Sequence, residues 1–277
     1  MGDPEIPRID YNENEIYVWN FCYPKIRALL RKNGCKETNY ALDDMEEKVD
    51  GYGPETIPQL DDISKYLTGK TGWRLKPVGG LLTQREFLNG LAFKIFHSTQ
   101  YIRHHSRPHY TVEPDILHEL IGHAPMFAHQ DFADFSQMIG LASMGATESE
   151  LKKLAAIYWF TIEFGMLRDE EKQLKAYGAG VMGSLTEIEY CVTDKPKHYK
   201  LDLQEIAQNH SEFVITDVQP YYFVVDSFAE MKQQIVDYVN NMNRPFNVAY
   251  NEELECIEVD RKLKTRAERE DEGGLEF

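Results

Sequence analysis

The sequence predicts a mainly α-helical protein that folds as a single domain with a few short β-ribbons. Apolar residues recur at helical spacing over long stretches, most clearly in residues 13–33. Two segments, at Thr83 and Thr147, begin with Thr followed three residues later by Glu, which is the capping-box pattern that opens a helix. Segments with the residue alternation of strands are few and short.

The individual elements follow from these patterns. Gly34 ends the first helix, because glycine commonly follows the last helical residue. In chain order, the predicted helices are residues 13–33, 83–96, 130–143, 147 to about 167, and 226–241. The predicted strands are residues 74–78, 246–250 and 256–259.

Size and composition exclude several classes of protein. The 277 residues are enough to bury a substantial core. A formal net charge of -16 argues against nucleic acid or an anionic membrane surface as a partner, since both require a basic surface. No apolar run is long enough to cross a bilayer, and the N-terminus shows no signal-peptide pattern.

The cysteines indicate the redox environment. Cys22, Cys35, Cys191 and Cys256 are widely spaced and form no CxxC pair. A disulfide framework and a thiolate zinc site are therefore disfavoured, and a reducing compartment fits. We expect a cytoplasmic protein.

The chemistry concentrates in the segment PDILHELIGHAP. Pro114 suits the first turn of a helix, and Gly122 and Pro125 mark its end. His118 and His123 are five residues apart, whereas the HExxH motif of zinc peptidases puts two histidines on one helical face. We expect the two rings to converge only if the helix ends near Gly122. From this segment alone, a metal site and two ordinary histidines are about equally supported.

A third candidate ligand, Glu163, lies in the apolar and aromatic stretch AAIYWFTIEFG. A buried carboxylate needs a partner, either a polar core side chain or a metal. Two histidines and one carboxylate with open coordination positions form the facial triad of non-haem iron(II) oxygenases. His118, His123 and Glu163 therefore form a candidate iron site.

At these residues the sequence resembles the pterin-dependent aromatic amino acid hydroxylases. The resemblance extends from about Ile6 to Val259. It implies a hydroxylase catalytic domain over residues 1–259, shortened on its N-terminal side, and a polar, disordered tail over residues 260–277. The matching segments are GLAFKIFHSTQYIRH (90–104), YTVEPDILHELIGHAPMF (110–127), FSQMIGLASMGA (135–146), LAAIYWFTIEFGML (154–167), KAYGAG (175–180) and RPFNVAY (244–250).

The resemblance implies an iron(II)- and tetrahydropterin-dependent monooxygenase that adds oxygen from O2 to the ring of a free aromatic amino acid. It assigns the iron to His118, His123 and Glu163. It assigns a tetrahydrobiopterin-like cofactor to Leu81, Leu82, Phe87, Glu119 and Tyr158, with the Phe87 ring stacked on the pterin. It assigns the amino acid to Arg103, through its carboxylate, and to Thr111, Pro114, Trp159 and Ser184.

Without the resemblance, several of these residues have ordinary interpretations. Leu81, Leu82 and Phe87 would be assigned to the hydrophobic core. Arg103 lies in a stretch rich in Arg and His and would be assigned to the surface. Only their positions in the family pattern connect these residues to a ligand.

One position departs from the family pattern. Members carry two serines shortly after KAYGAG, whereas this chain has Gly183 and Ser184. In the family the first serine supports an iron-ligand histidine and the substrate site, so its loss is expected to affect metal binding or rate. Alternatively, glycine is required at Gly183 for a backbone conformation that serine resists.

Two residues bear on the choice of substrate. Trp159 lies where the tryptophan-hydroxylating branch has Phe, and the apolar Ile215 lies near the position where the tyrosine-hydroxylating branch has an acidic residue. Both favour L-phenylalanine as substrate and L-tyrosine as product. The alternatives are a tyrosine or tryptophan hydroxylase of the same family, a zinc hydrolase, or an inactive binding scaffold.

The expected assembly is small. The family's regulatory domain does not precede the catalytic segment, and no heptad pattern of the kind that forms its tetramerisation helix follows Val259. We therefore expect a monomer or a dimer.

Overall fold

The computed structural model describes residues 5–80, 82–109, 111, 113–210, 217–264 and 268. It confirms the predicted fold class, because most regular structure is helical and the strands are three to five residues long. The buried apolar side chains form one continuous cluster that extends from the first helix to Tyr238. Among the described residues, no helix is both long enough and apolar enough to cross a membrane.

Eleven α-helices and two π-helices form the described part of the chain. The α-helices are α1 Glu13–Asn33, α2 Lys36–Lys48, α3 Leu60–Thr71, α4 Gln84–Ala92, α5 Ala124–Phe127, α6 Gln130–Ser143, α7 Glu148–Tyr158, α8 Ala179–Met182, α9 Leu185–Tyr190, α10 Leu203–Asn209 and α11 Phe228–Asn240. The first π-helix spans His118–His123, and the second spans Trp159–Glu163.

The strands form three small sheets in the described residues. They are β1 Arg74–Pro77, β2 Ile95–Ser98, β3 Met166–Arg168, β4 Leu174–Ala176, β5 Lys197–Lys200, β6 Tyr221–Val225, β7 Val248–Asn251 and β8 Cys256–Val259. Strands β1 and β2 pair in parallel, and β7 and β8 form an antiparallel hairpin. The third sheet has the strand order β4-β3-β6-β5, in which only β3 and β4 are antiparallel.

Helix α1 has the predicted bounds because local signals define both of its ends. Asn12 and Glu15 form a reciprocal capping box at its start, and Gly34 follows its last residue. Its apolar face is buried, and the Trp19 indole N–H donates to the carbonyl of Gly53 at 2.7 Å. This bond ties α1 to the loop that precedes α3.

Two predicted helix ends are wrong. The Thr83–Glu86 capping box is present, but α4 ends at Ala92, because the chain turns at Lys94, with φ of 55°, into a strand paired with β1. Thr147 caps α7, but the α-helix changes into the second π-helix and the chain then enters β3. In both places, pairing with a distant segment replaces the local helical pattern.

The other predicted elements lie close to their expected positions. Helix α6 has the predicted bounds, α11 begins two residues later than predicted, and strands β1, β7 and β8 coincide with or overlap the predicted strands. Helices α2, α3 and α10 and the strands of the four-stranded sheet are not predicted, since their apolar patterns are short. Most of the predicted tail lies outside the described residues, so the boundary after Val259 stays a prediction.

The short helix α8 packs against both π-helices, and this packing positions the site. A Cβ atom on Gly122 in the first π-helix would lie 2.7 Å from the carbonyl oxygen of Ala179. A Cβ atom on Gly178, which caps α8, would lie 2.4 Å from the carbonyl oxygen of Glu163. The absence of a side chain at both positions therefore allows the three backbones to approach this closely.

Gly122→Ala is expected to lower the free energy of unfolding by about 1–3 kcal/mol, because the added methyl group overlaps the Ala179 backbone. Gly69→Ala is the matched control, since Gly69 lies on α3 with no atom within 4 Å of its Cβ position. The control should gain up to about 1 kcal/mol. Urea denaturation measures both, and equal stability of the two variants would contradict the packing described for α8.

Candidate functional site

The first π-helix explains how His118 and His123 converge. The N–H of Ala124 donates to the carbonyl of Glu119, five residues earlier, which is the defining bond of a π-turn. On an α-helix, five residues place the second side chain about 140° away from the first. A π-turn brings residues five apart nearly into line, so both imidazoles reach the same space.

The predicted helix end near Gly122 is wrong, as is the position of Pro114 in the first turn. The helix continues from the first π-helix directly into α5, where Pro125 occupies an early position. Pro114 lies just before the helix, and Asp115 caps it by accepting from the N–H of His118 at 3.3 Å. The rings converge because the helix widens, and not because it ends.

The second π-helix brings Glu163 to the two histidines. The N–H of Phe164 donates to the carbonyl of Trp159 at 2.9 Å, again across five residues. Thr161 is fully buried, and its hydroxyl donates to the carbonyl of Ile157 at 2.5 Å. This turn directs the Glu163 carboxylate and the Trp159 ring into one cavity.

The three candidate ligands lie close together. Nε2 of His118 is 3.0 Å from Nε2 of His123. Glu163 places Oε1 3.2 Å from Nε2 of His123, and Oε2 3.6 Å from Nε2 of His118. Donor atoms on adjacent corners of an octahedron are about 3 Å apart when each lies about 2.1 Å from the metal. Within the described residues, no other group of three ligand-type side chains is arranged this way.

The electrostatics of the three side chains also fit a divalent cation. Burial lowers the pKa of His118 to about 4, despite the nearby Glu163 carboxylate, so this imidazole is neutral and able to ligate. Burial alone would raise the pKa of Glu163, but His123 and His118 outweigh it and hold this pKa at about 2. The site thus offers an ionised carboxylate and a neutral imidazole in an apolar setting, which a cation would stabilise.

A cavity of about 750 Å³ opens above the three ligands. Its lining is mostly apolar and aromatic, with a few polar groups near the ligands. The predicted cofactor and substrate residues that line it are Leu82, Phe87, Pro114, Glu119, Tyr158 and Trp159. Phe87 and Leu82 thus face open space, whereas Leu81 lies outside the described residues.

Phe87 and Tyr158 form one wall of this cavity. Their rings meet edge to face, with centroids 5.1 Å apart. The hydroxyl of Tyr158 is buried close to the Glu163 carboxylate without the geometry of a hydrogen bond. Burial, together with that negative charge, raises the pKa of Tyr158 well above its usual range. This side chain therefore stays protonated next to the ligands.

Glu119 is held at the side of the cavity. Its Oε1 accepts from the N–H of Thr99 at 3.1 Å and from the Thr99 hydroxyl at 3.3 Å. Its Oε2 is buried with no hydrogen-bond partner among the described residues. Burial raises the pKa of Glu119 to about 7. A buried acceptor without a donor is costly, so this oxygen suits a ligand that carries N–H groups.

Arg103 is buried, so its interpretation as a surface charge is wrong. Its Nε and Nη2 donate to the two oxygens of Asp115 at 2.7 and 2.8 Å, and its backbone N–H donates to the same carboxylate at 2.8 Å. Asp115 is fully buried and also caps the helix that leads to His118. The pair therefore fixes the start of the first π-helix. Arg103 itself does not line the cavity.

Thr111 and Ser184 also lie outside the cavity lining. The Thr111 hydroxyl donates to the carbonyl of Glu113 at 2.5 Å. The Ser184 hydroxyl caps α9 by accepting from the N–H of Glu187 at 3.3 Å. Neighbouring Gly183 has φ of -82° and ψ of -2°, so it does not require a conformation that serine resists. A Cβ atom there would lie 3.0 Å from Cα of His118.

Sequence reasoning missed Asp115 and Thr99, which orient the site without facing a ligand. Asp115 carried one usable signal, because an Asp three residues before His118 has the spacing of a helix cap. Thr99 carried none, since its bond to Glu119 depends on how β2 packs against the first π-helix.

Comparison with known proteins agrees with this geometry. A family model described as biopterin-dependent aromatic amino acid hydroxylase matches residues 1–271. The phenylalanine-4-hydroxylase of Dictyostelium discoideum is 47% identical over 258 residues, which cover 93% of this chain and 57% of that protein. The chain thus spans about half the length of the curated relatives it matches.

Solved structures with the same fold include two bacterial enzymes. The apo structure of the cold-active phenylalanine hydroxylase from Colwellia psychrerythraea 34H matches with a TM-score of 0.77 and 29% identity, covering 84% of this chain and 87% of that one. The Chromobacterium violaceum phenylalanine hydroxylase with bound iron(III) and 7,8-dihydrobiopterin matches with a TM-score of 0.76 and 28% identity, covering 83% and 81%.

Gly183→Ser is expected to slow metal loss, because its Cβ would lie 3.3 Å from Cβ of His118 and its hydroxyl could support that imidazole. Second-shell hydroxyl groups change metal affinity by roughly tenfold or more. Gly183→Ala is the matched control, since it adds the same Cβ without the hydroxyl. Release of iron(II) to a chelator measures the effect, and equal rates for the two variants would contradict it.

Proposed function

Because the chain belongs to the biopterin-dependent aromatic amino acid hydroxylases, we propose that it is an iron(II)- and tetrahydropterin-dependent monooxygenase that converts L-phenylalanine into L-tyrosine. The observation that carries this proposal is the cluster of His118, His123 and Glu163 at the floor of an aromatic cavity. One face of such a triad binds the protein, and the other stays open to ligands.

The iron would be held by His118, His123 and Glu163. When bound, it supplies oxygen activation together with O2 and the reduced pterin. The chain's own work is to present two imidazoles and an ionised carboxylate in a fixed arrangement, and to exclude water with apolar walls. The two π-helices accomplish the first task, and the aromatic lining accomplishes the second.

The pterin would lie between Phe87 and Glu119. The Phe87 ring offers a face to a flat heterocycle, and Leu82 lines the cavity nearby. The unpaired Oε2 of Glu119 suits the N–H groups of a pterin ring, and Tyr158 bounds the same space. Leu81 is proposed to contact the pterin on the strength of the family pattern alone.

The amino acid would lie on the other side of the ligands, with its ring against Trp159 and Pro114. Asp115 accepts from two N–H groups of Arg103, and a guanidinium carries five. We propose that the substrate carboxylate binds the remaining ones, with Thr111 shaping the loop nearby and Ser184 the opposite side. Asp115 would then act as the orienting partner of Arg103.

Phenylalanine is preferred over the other two aromatic amino acids on limited grounds. The relatives and structures reported above carry the name phenylalanine hydroxylase. Trp159 lines the cavity, whereas Ile215 lies outside the described residues. Family membership leaves the zinc hydrolase without support. An inactive scaffold and a tyrosine or tryptophan hydroxylase are outcomes of the assay below.

We also propose that the protein is a cytoplasmic monomer or dimer. All four cysteines are free, which suits a reducing compartment. The net charge of -16 opposes close association of many copies at low ionic strength. A tetramer detected by light scattering would contradict the proposed assembly.

The activity is tested by incubating the protein with iron(II), tetrahydrobiopterin, O2 and each of L-phenylalanine, L-tyrosine and L-tryptophan, with products identified by mass. We expect L-tyrosine from L-phenylalanine, at a kcat/KM above those for the other two amino acids. Faster hydroxylation of L-tyrosine or L-tryptophan would change the substrate assignment. No product from any amino acid would support the inactive scaffold.

His118→Ala, His123→Ala and Glu163→Ala are each expected to abolish hydroxylation and to lower the iron content per chain, because each removes one of three protein ligands. His105→Ala is the matched control, since His105 is exposed and does not line the cavity. Iron analysis and turnover on the same preparations decide the matter. Near-full iron and activity in any of the three ligand variants would refute the assignment.

A further inference from the structure

A buried glutamine contacts the wall of the cavity from behind. Gln219 is 2% exposed, and its Oε1 accepts from the indole N–H of Trp159 at 3.2 Å. The two residues are 60 positions apart in the chain. Gln219 itself does not line the cavity, whereas Trp159 does. Any effect of Gln219 on a bound ligand must therefore pass through the indole.

The chemistry of the two groups fixes which way the amide points. An indole N–H only donates, so it requires an acceptor. The Gln219 carbonyl oxygen supplies that acceptor, and its NH2 group is thereby directed elsewhere. A Trp159 ring that rotated away would leave a buried carbonyl oxygen without this donor. The contact therefore favours one orientation of the indole.

Gln219 is itself anchored to α9. Its backbone N–H donates to Oε1 of Glu187 at 2.9 Å, and the hydroxyl of Tyr222 donates to the same oxygen. Glu187 is 5% exposed and lies in the first turn of α9, which Ser184 caps. The acceptor that orients the indole is therefore attached to a fixed helix and to strand β6.

The opposite side of the indole is also held. The ring of Phe164 lies against it, with centroids 4.7 Å apart at an interplanar angle of 39°. Phe164 in turn packs on Gly180, where a Cβ atom would approach its ring to within 2.5 Å. Trp159 is thus fixed by Phe164 on one side and by the amide of Gln219 at its N–H.

We propose that Gln219 is a positioning residue that fixes the Trp159 ring and thereby sets which aromatic amino acid the cavity accepts. This inference rests on the proposed function and names a specificity determinant for it. Trp159 and the ligand Glu163 belong to the same π-turn, so a shift of the indole changes the space directly beside the ligands. A fixed indole keeps that space narrow and favours a single-ring side chain over an indole side chain.

The test uses Gln219→Met, Trp159→Phe and the double variant, all in the full-length chain. Met preserves length and removes the acceptor. Gln234→Met is the matched control, since it loses a part-buried amide hydrogen bond to the carbonyl of Leu201 far from the cavity lining. The quantity measured is kcat/KM for L-phenylalanine divided by that for L-tryptophan.

We expect Gln219→Met to lower this ratio by roughly three- to tenfold, the effect of losing one buried hydrogen bond. In the Trp159→Phe background the same substitution should cause no further fall, because the N–H is already gone. The control should leave the ratio unchanged at a comparable thermal midpoint. An equal fall in both backgrounds, or in the control, would overturn the proposal.

A second readout does not depend on activity. The chain has three tryptophans, so 15N-labelled protein gives three indole resonances, and Trp159→Phe identifies the one that belongs to Trp159. Gln219→Met should move that resonance and leave the other two in place. An unmoved resonance would overturn the proposal. A parent enzyme that hydroxylates no aromatic amino acid would instead refute the proposed function, and this is seen before any variant is compared.

Discussion

The close packing of α8 between the two π-helices is the constraint on which the site depends. His118 and His123 come from one π-helix and Glu163 from the other, so the distance between these two backbones fixes the spacing of the three donor atoms. That distance is set by backbone contact, because Gly122 and Gly178 bring each π-helix against α8 without an intervening side chain. Larger residues would spread the donor atoms apart.

Each π-helix places in one turn what an α-helix would distribute around its surface. In the first, five-residue spacing aligns two imidazoles, and the Tyr52 hydroxyl donates to the Leu120 carbonyl at 2.6 Å within the widened turn. In the second, the ligand Glu163 and the wall residue Trp159 face one cavity. Since π-turns cost regular helical bonding, their occurrence at both ligand segments is consistent with a functional origin.

Buried polar groups supply the rest of the rigidity. Asp115 binds Arg103 through three bonds and also caps the helix before His118, so a single carboxylate links an interior cation to the ligand segment. Such a pair gives little net stability but is costly to break. Its geometry is therefore retained, and Arg103 keeps one orientation.

Local signals account for what could be predicted from the sequence. The ends of α1 follow from its cap and Gly34, and the ligand types were recognisable because His118, His123 and Glu163 have few ordinary roles in such apolar surroundings. The widening of the helix at His118 could not be predicted, because it depends on packing against α8. Residues that act from behind the wall, such as Gln219, carried no local signal, since their partners are distant in the chain.

The most direct measurement is X-ray absorption at the iron edge of the iron(II)-loaded protein. If the two π-helices hold the ligands as described, the spectrum will show two imidazoles and otherwise oxygen ligands, with no sulfur. A single imidazole, or a sulfur ligand from one of the cysteines, would contradict the account, because it would mean that His118 and His123 do not converge on one metal ion.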